Sequence, residues 1–261
     1  LSMAKHEHKT DSQTILRAFN LCSDLGEVAE YYMAGKDLSH FSTQPFKPIR
    51  PALAERLPNA GEIIKKIGRC AVEAKYDGLR MQIHVASGKV EIYSRKLEKM
   101  THMFPEIVEA AKKLKVRSAV FEGEALAFNA KEKKYYSFQQ TIQRKRKYGV
   151  EAMSKDFPLR LFVFDIMYLN GKDLTLKEYW ERRKIVEKTF VGSSVLVPSE
   201  QIVTDDEKRL DKYFTECTSE GLEGVIAKDL NQPYVAGARK FAWIKLKKSY
   251  GALGDTVDVV I

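Results

Sequence analysis

Residues 159–169 are an almost unbroken apolar run, interrupted at Asp165 and closed by Asn170-Gly171. A strand that is apolar on both faces belongs in the middle of a covered sheet, so this run predicts a central buried strand. The remaining segments have to fit around it. Residues 79–85 and 89–94, joined by Ala86-Ser87-Gly88, read as a hairpin. Residues 119–128, 222–228 and 241–247 read as further strands, and 195–203 as mostly extended. Within 241–247, Ala242, Ile244 and Leu246 alternate with Trp243, Lys245 and Lys247. Helical patterns cover 62–68, 104–114 with a start on Pro105, 138–146, 176–190 and 205–219. For the last of these, Thr204 or Asp205 is the expected cap, and Gly221 lies just past the end. Interspersed helices, strands and hairpins predict the α+β class with largely antiparallel sheets.

Residues 1–45 read as a helical segment, with helix-spaced apolar residues over 14–19 and 25–33 and Gly35 as a stop. Such a segment is too short for a core of its own and reads as the tail of a helical region. Pro45, Pro48 and Pro51 favour an extended linker, and a domain boundary is expected there. The main domain then spans 46–250. Residues 251–261 begin another element, a strand over 255–261, which suggests a fragment of something longer.

The charge narrows the partners. Forty-four Lys and Arg against 35 Asp and Glu give a net charge of +9, which favours polyanions such as nucleic acid and nucleotides. No apolar run reaches the length of a membrane span, and no signal peptide is visible. Cys22, Cys70 and Cys217 lie far apart, which argues for a reducing compartment and against a disulfide framework or zinc finger. His6 and His8 read as a solvated terminus and His40, His84 and His102 show no ligand spacing, so no metal cage built by protein alone is expected.

Chemistry concentrates in Glu73-Ala74-Lys75-Tyr76-Asp77-Gly78-Leu79-Arg80. Residues 72–75 end a buried strand, Asp77-Gly78 is a turn signal, and Met81, Ile83 and Val85 resume an alternation with Arg80, Gln82 and His84. Asp-Gly between strands is also a common hairpin turn. A lysine at such a turn is held by backbone on both sides, as a nucleophilic amine would be. A free lysine has a pKa near 10.4, so only about one amine in a thousand is neutral at pH 7, and nearby cations or desolvation would raise that fraction. Glu124, Asp165, Glu223, Lys228, Lys245 and Lys247 also sit in or beside apolar strands. Such charges must pair, reach solvent or line a cleft. Carboxylates facing lysines across a cleft are what a metal–nucleotide site needs.

Six stretches in order resemble the motifs of the nucleotidyltransferase, or adenylation, domain of ATP-dependent DNA ligases of the archaeal and eukaryotic type. They are residues 73–80, Ser94-Arg95-Lys96-Leu97-Glu98, Phe121-Glu122-Gly123-Glu124-Ala125, residues 161–171, Glu223-Gly224-Val225-Ile226-Ala227-Lys228 and Trp243-Ile244-Lys245-Leu246-Lys247. The resemblance covers 45–261, and 1–45 resembles the end of the helical DNA-binding domain that precedes it in the family. It implies an ATP-grasp-like fold of two largely antiparallel sheets flanked by helices, with 251–261 starting a truncated OB-fold.

The resemblance also implies roles. Lys75 would attack the α-phosphate of ATP and hold AMP as a phosphoramidate. Glu73 would contact the adenine amino group, Arg80 the ribose, Arg95 the phosphates, and Phe164 would stack on adenine. Glu124 would hold the ribose or a metal, and Glu223 would bind Mg²⁺, with Mn²⁺ as the alternative ion. Lys228, Lys245 and Lys247 would neutralise phosphate, and Arg239 and Trp243 match motif positions with Trp243 equally suited to packing. Arg144, Lys145, Arg146 and Lys147 are candidates for DNA phosphate contact, or else a solvated helix end. The implied substrate is nicked double-stranded DNA, sealed by an intracellular monomer serving DNA replication, repair and recombination, with a sliding clamp as a partner that no motif specifies. Without its OB-fold the fragment is expected to adenylate itself slowly and to seal poorly. Rival readings are an RNA ligase or mRNA-capping guanylyltransferase, which share Lys-x-Asp-Gly, and a non-catalytic DNA-binding module, which the charge alone permits. An NAD-dependent ligase is disfavoured because no cysteine cluster is present.

Overall fold

The computed structural model describes residues 12–129, 134–146 and 148–248. The helices are α1 (Ser12–Cys22), α2 (Leu25–Met33), α3 (Ala60–Ile67), α4 (Pro105–Lys112), α5 (Phe138–Thr141), α6 (Val150–Asp156), α7 (Tyr179–Thr189) and α8 (Glu207–Ser219). The strands are β1 (Leu53–Arg56), β2 (Cys70–Lys75), β3 (Leu79–Ala86), β4 (Lys89–Ser94), β5 (Ser118–Asn129), β6 (Lys134–Tyr135), β7 (Leu159–Leu169), β8 (Lys172–Asp173), β9 (Leu196–Pro198), β10 (Gln201–Thr204), β11 (Gly224–Asp229) and β12 (Arg239–Lys247). They form two sheets. The larger follows β4-β3-β5-β7-β8, with β6 beside β5 and β9 beside β7; the smaller follows β1-β12-β11-β2-β10. Pairing is antiparallel except for β1 with β12 and β7 with β9. The α+β, largely antiparallel class read from the pattern is the one observed.

The run at 159–169 is the central strand β7, and both its faces are covered. Leu161, Val163 and Ile166 pack with Phe104 and Ile107 near α4 and with Val186 and Phe190 of the α7 region. On the other face Phe162 joins the core of the small sheet, and Met167 joins a core shared with α1 and α2. The interrupting Asp165 has its partner in Arg182 of α7, through bonds of 2.7 and 3.0 Å, and both side chains are fully buried. Two bulges break the β5–β7 register, between Val120 and Phe121 and between Glu122 and Gly123. The second leaves Phe164 without a ladder partner, and its free carbonyl accepts from Lys228 Nζ at 3.0 Å.

In the small sheet, period-two alternation separates two chemistries. Val72, Ala74, Val225, Ala227, Ile244 and Leu246 face a core closed by α3 and α8. The cross-strand rows Glu73–Ile226–Lys245, Lys75–Gly224–Lys247 and Ala71–Lys228–Trp243 face the other way. The cations of β12 therefore line a cleft.

Four local expectations need correction. β2 and β3 do not pair; they belong to different sheets, so residues 76–78 cross between sheets and form no hairpin. The helix expected over 176–190 starts at Tyr179, because Asp173 holds Thr175 N and Oγ1 in a turn at 2.7 and 2.6 Å. The helix expected over 138–146 is one α turn after a Ser137 capping box, then a 3₁₀ turn over Ile142–Arg144. The cap of α8 is Asp206, which accepts from Lys208 N at 2.8 Å, while Thr204 Oγ1 accepts from Asp206 N at 3.0 Å. β1 and α6 carried no signal. The strand expected at 255–261 lies outside the described residues, as does Lys147.

The expected linker is extended after Phe46 but is not free. Ile49 is fully buried, and α1, α2 and the 38–52 segment share a core with Val120, Met167, Tyr234 and Trp243. Within the described residues, the helical segment is part of the same packed body as the larger sheet.

Candidate active site between the sheets

A cleft of about 660 Å³ opens where the two sheets meet. All ten residues singled out for nucleotide and metal lie on its wall: Glu73, Lys75, Arg80, Arg95, Glu124, Phe164, Glu223, Lys228, Lys245 and Lys247. They come from β2, β3, β5, β7, β11 and β12 and from the turns after β4 and before β11. Lys75 ends β2 at the crossing. Its ammonium pairs with Glu223, and Lys247 takes the other oxygen of the same carboxylate. Burial opposes the charge on Glu223, but Lys247 and Lys75 outweigh it and hold its pKa below the usual carboxylate range. Burial lowers the Lys245 pKa, and Lys247, Arg239 and Lys75 lower it further. The row runs through Gly224, where φ is 147° and a Cβ would meet Leu246 O at 2.1 Å. Any side chain there would push β11 off β12.

Glu73 is 3% exposed and its carboxylate is occupied. Tyr179 donates to Oε1, and Lys228 Nζ lies 2.9 Å from Oε2. Burial pushes the Lys228 pKa down, with Glu73 and Asp165 opposing the fall. Arg80 Nη2 donates to Glu122 at 2.8 Å and Nη1 to Ala52 O at 2.9 Å. Burial works against the Arg80 charge, yet Glu122, Tyr234 and Glu124 more than offset it and raise its pKa. Its Nε is buried and has no partner among the described residues. Glu124 shares the cleft floor; burial lifts its pKa to about 7, against the pull of Arg80, Lys75 and the Gly78 amide. Phe164 is half-buried, edge-on to Trp243 with ring centroids 5.9 Å apart. Trp243 itself is 5% exposed and packs in the core as well as touching the cleft.

The basic run 144–146 divides. Arg144 is not available to DNA: its side chain is fully buried against Glu106. Lys145 lies on the cleft rim, 3.1 Å from Glu98, and Arg146 is exposed. In the sequence Glu122 had a place in a motif but no role, and Tyr179 and Tyr234 had neither. Glu122 had a signal, since it shares a strand face with Glu124; the tyrosines had none, because their partners are distant in sequence.

A lysine beside a carboxylate, further cations on the same wall, a buried guanidinium nitrogen without a partner among the described residues and an aromatic ring suit an anionic ligand that carries an aromatic group. The chain belongs to the ATP-dependent DNA ligase domain family, whose model, described as "ATP dependent DNA ligase domain", matches residues 51–247. It is 47% identical over 265 residues to a probable DNA ligase of Dictyoglomus turgidum, covering 100% of this chain and 46% of that protein. It is 44% identical over 252 residues to a DNA ligase of Hyperthermus butylicus, covering 94% of this chain and 41% of that protein. The chain thus spans less than half the length of these relatives. Among solved structures, mycobacterial DNA ligase D complexed with ATP and MES superposes with a TM-score of 0.58 at 27% identity, over 76% of this chain and 59% of that one. The ATP-dependent ligase of bacteriophage T7, in complex with ATP, shares the fold with a TM-score of 0.55 at 18% identity, over 76% of this chain and 68% of that one.

Proposed function

We propose that this chain is the adenylating part of a nick-sealing DNA ligase, with Lys75 as its nucleophile. The observation that carries the reading is the placement of Lys75 at the sheet crossing, in contact with Glu223 and on one wall with Lys245 and Lys247. In the free protein Glu223 holds the Lys75 ammonium in place; that pair opens for attack, because only the unprotonated amine is a nucleophile. The Lys75 amine forms a P–N bond to the α-phosphorus of ATP as the P–O bond to pyrophosphate breaks. Charge growing on the non-bridging oxygens meets cations already in position, which stabilise the transition state more than the ground state. Arg80 and the ring of Phe164, both on the cleft wall, would supply a donor and a stacking surface for ribose and adenine. The donor set suits Mg²⁺, which uses one or two carboxylates plus substrate oxygens; Glu223 and Glu124 would hold it, and it would neutralise phosphate charge. AMP then passes to the 5′-phosphate of a nick, breaking the P–N bond, and the 3′-hydroxyl displaces AMP to close the backbone. Lys145 stands on the rim where duplex phosphates would run, and Arg146 is exposed next to it in the chain.

We infer a monomer working inside a cell, in keeping with three unpaired, buried cysteines. The test is intact mass before and after ATP with Mg²⁺, and again after pyrophosphate. A gain of one AMP, reversed by pyrophosphate and absent in Lys75→Ala, is expected. A chain that gains nothing from ATP, GTP or NAD, and binds AMP no better than an Arg80→Ala variant, would overturn the proposal.

A further inference from the structure

Arg80 is reached from behind by a buried polar chain that never enters the cleft. Pro45, Pro48 and Pro51 recur every third residue, the period of a polyproline-type chain, and the residue after each is a contact point. Phe46 N donates to His84 Nδ1 at 2.8 Å. Ile49 N donates to Gln82 Oε1 at 2.7 Å, and Gln82 Nε2 returns a bond to Ile49 O at 3.0 Å. Ala52 N donates to Tyr234 Oη at 3.0 Å, and Ala52 O accepts from Arg80. Between these points the side chains join one another. His84 Nε2 lies 2.9 Å from Gln82 Oε1, and Gln82 Nε2 lies 3.3 Å from Glu122 Oε1. Tyr234 donates to Glu122 Oε2 at 2.7 Å, the oxygen that also accepts from Arg80. The outer side of the strap is tied to α1: Arg50 N donates to Asn20 O at 2.8 Å.

We propose that Gln82, Glu122 and Tyr234 are positioning residues for Arg80, and that through them the docking of strap 45–52 on the larger sheet sets the affinity of the cleft for adenine nucleotide. Two of the three guanidinium nitrogens are fixed, one by the end of the strap and one by Glu122, so the strap decides where the unpartnered Nε points. Lifting the strap removes the Ala52 carbonyl from Arg80 and the Ala52 amide from Tyr234 together. The coupling is reciprocal: a nucleotide that binds against Arg80 must tighten the strap by the factor by which the strap tightens the nucleotide. This rests on the nucleotide reading of the cleft given above.

The experiment uses AMP, which cannot adenylate Lys75, and two substitutions outside the cleft wall, Tyr234→Phe and Gln82→Met. AMP affinity by calorimetry is expected to fall about tenfold in each. In the unsubstituted chain, AMP is expected to slow hydrogen exchange at the amides of Phe46, Ile49 and Ala52 at least fivefold, and in Gln82→Met less than twofold. Asn170→Ala controls for lost stability alone; it removes the acceptor of the Arg117 and Ser118 amides at 2.7 and 3.2 Å, and AMP affinity is expected to stay within twofold. Tyr234→Phe deletes one oxygen and keeps the ring, so it reports even where Gln82→Met fails to fold. Unchanged AMP affinity in Tyr234→Phe, or strap amides indifferent to AMP, overturns the inference and leaves the proposed function standing. An unsubstituted chain that binds no AMP overturns both.

Discussion

Asp165 and Arg182 show how one residue pair decides whether the central strand can be buried. Both side chains are fully buried, and the two bonds of the pair satisfy the carboxylate. Asp165→Ala would leave an unpaired guanidinium in the core, and a loss of about 3–5 kcal/mol in urea unfolding is expected. Asp165→Leu with Arg182→Met should recover most of that loss, because removing both charges costs far less than removing one. His84 gives the pH dependence. It is fully buried; burial holds its pKa down at about 3, although Glu91 across the ladder favours the charged form. Its Nδ1 accepts from Phe46 N and so must stay unprotonated. The unfolded chain takes up a proton near pH 6.5 and the folded chain does not. Stability from this residue is therefore complete above that pH and declines as pH falls, by about 2 kcal/mol at pH 5. Comparing unfolding midpoints at pH 7.5 and 5 should show this decline, and His84→Gln should flatten it.

At the scale of elements, the crossing from β2 to β3 is the decisive feature. Asp77-Gly78 was legible as a turn, but which strands it joined was not, since a hairpin and a crossing use the same residues. Gly78 runs so close to β5 that a Cβ would meet Ala125 O at 2.4 Å. Gly78→Ala should cost about 2–3 kcal/mol in thermal unfolding and should displace Lys75, a strand end three residues away. The 137–146 segment carries a second distinction that local pattern could not make. Arg144→Ala is expected to lower stability by about 3 kcal/mol, because it strands Glu106 beside an emptied site. Lys145→Ala should leave stability nearly unchanged, since its pair with Glu98 is exposed. It should instead reduce the salt slope of binding to a nicked duplex by about one, as followed by fluorescence anisotropy.

At the scale of the whole molecule, the two sheets are joined by shared core residues, Phe162 on one side and Val120, Met167 and Trp243 on another, and the polar cleft lies between them. A ligand that enters it bridges both sheets. AMP at about a hundred times its Kd should add about 2.7 kcal/mol and raise the melting temperature by roughly 5–10 °C. Lys75→Ala should keep that shift while losing the covalent mass gain. The two readouts separate binding from chemistry.

The sequence alone determined the alternation of β12, the buried run of β7, the α+β class and the residue types of the cleft, because each depends on neighbours within a few residues. It also marked Asp165 and Glu223 as charges that needed partners. Only the tertiary structure named those partners, turned Arg144 inward, sent β2 and β3 to different sheets and laid the proline segment across the sheet as a strap. Each of those outcomes depends on which distant groups share a buried volume, and spacing along the chain does not encode that.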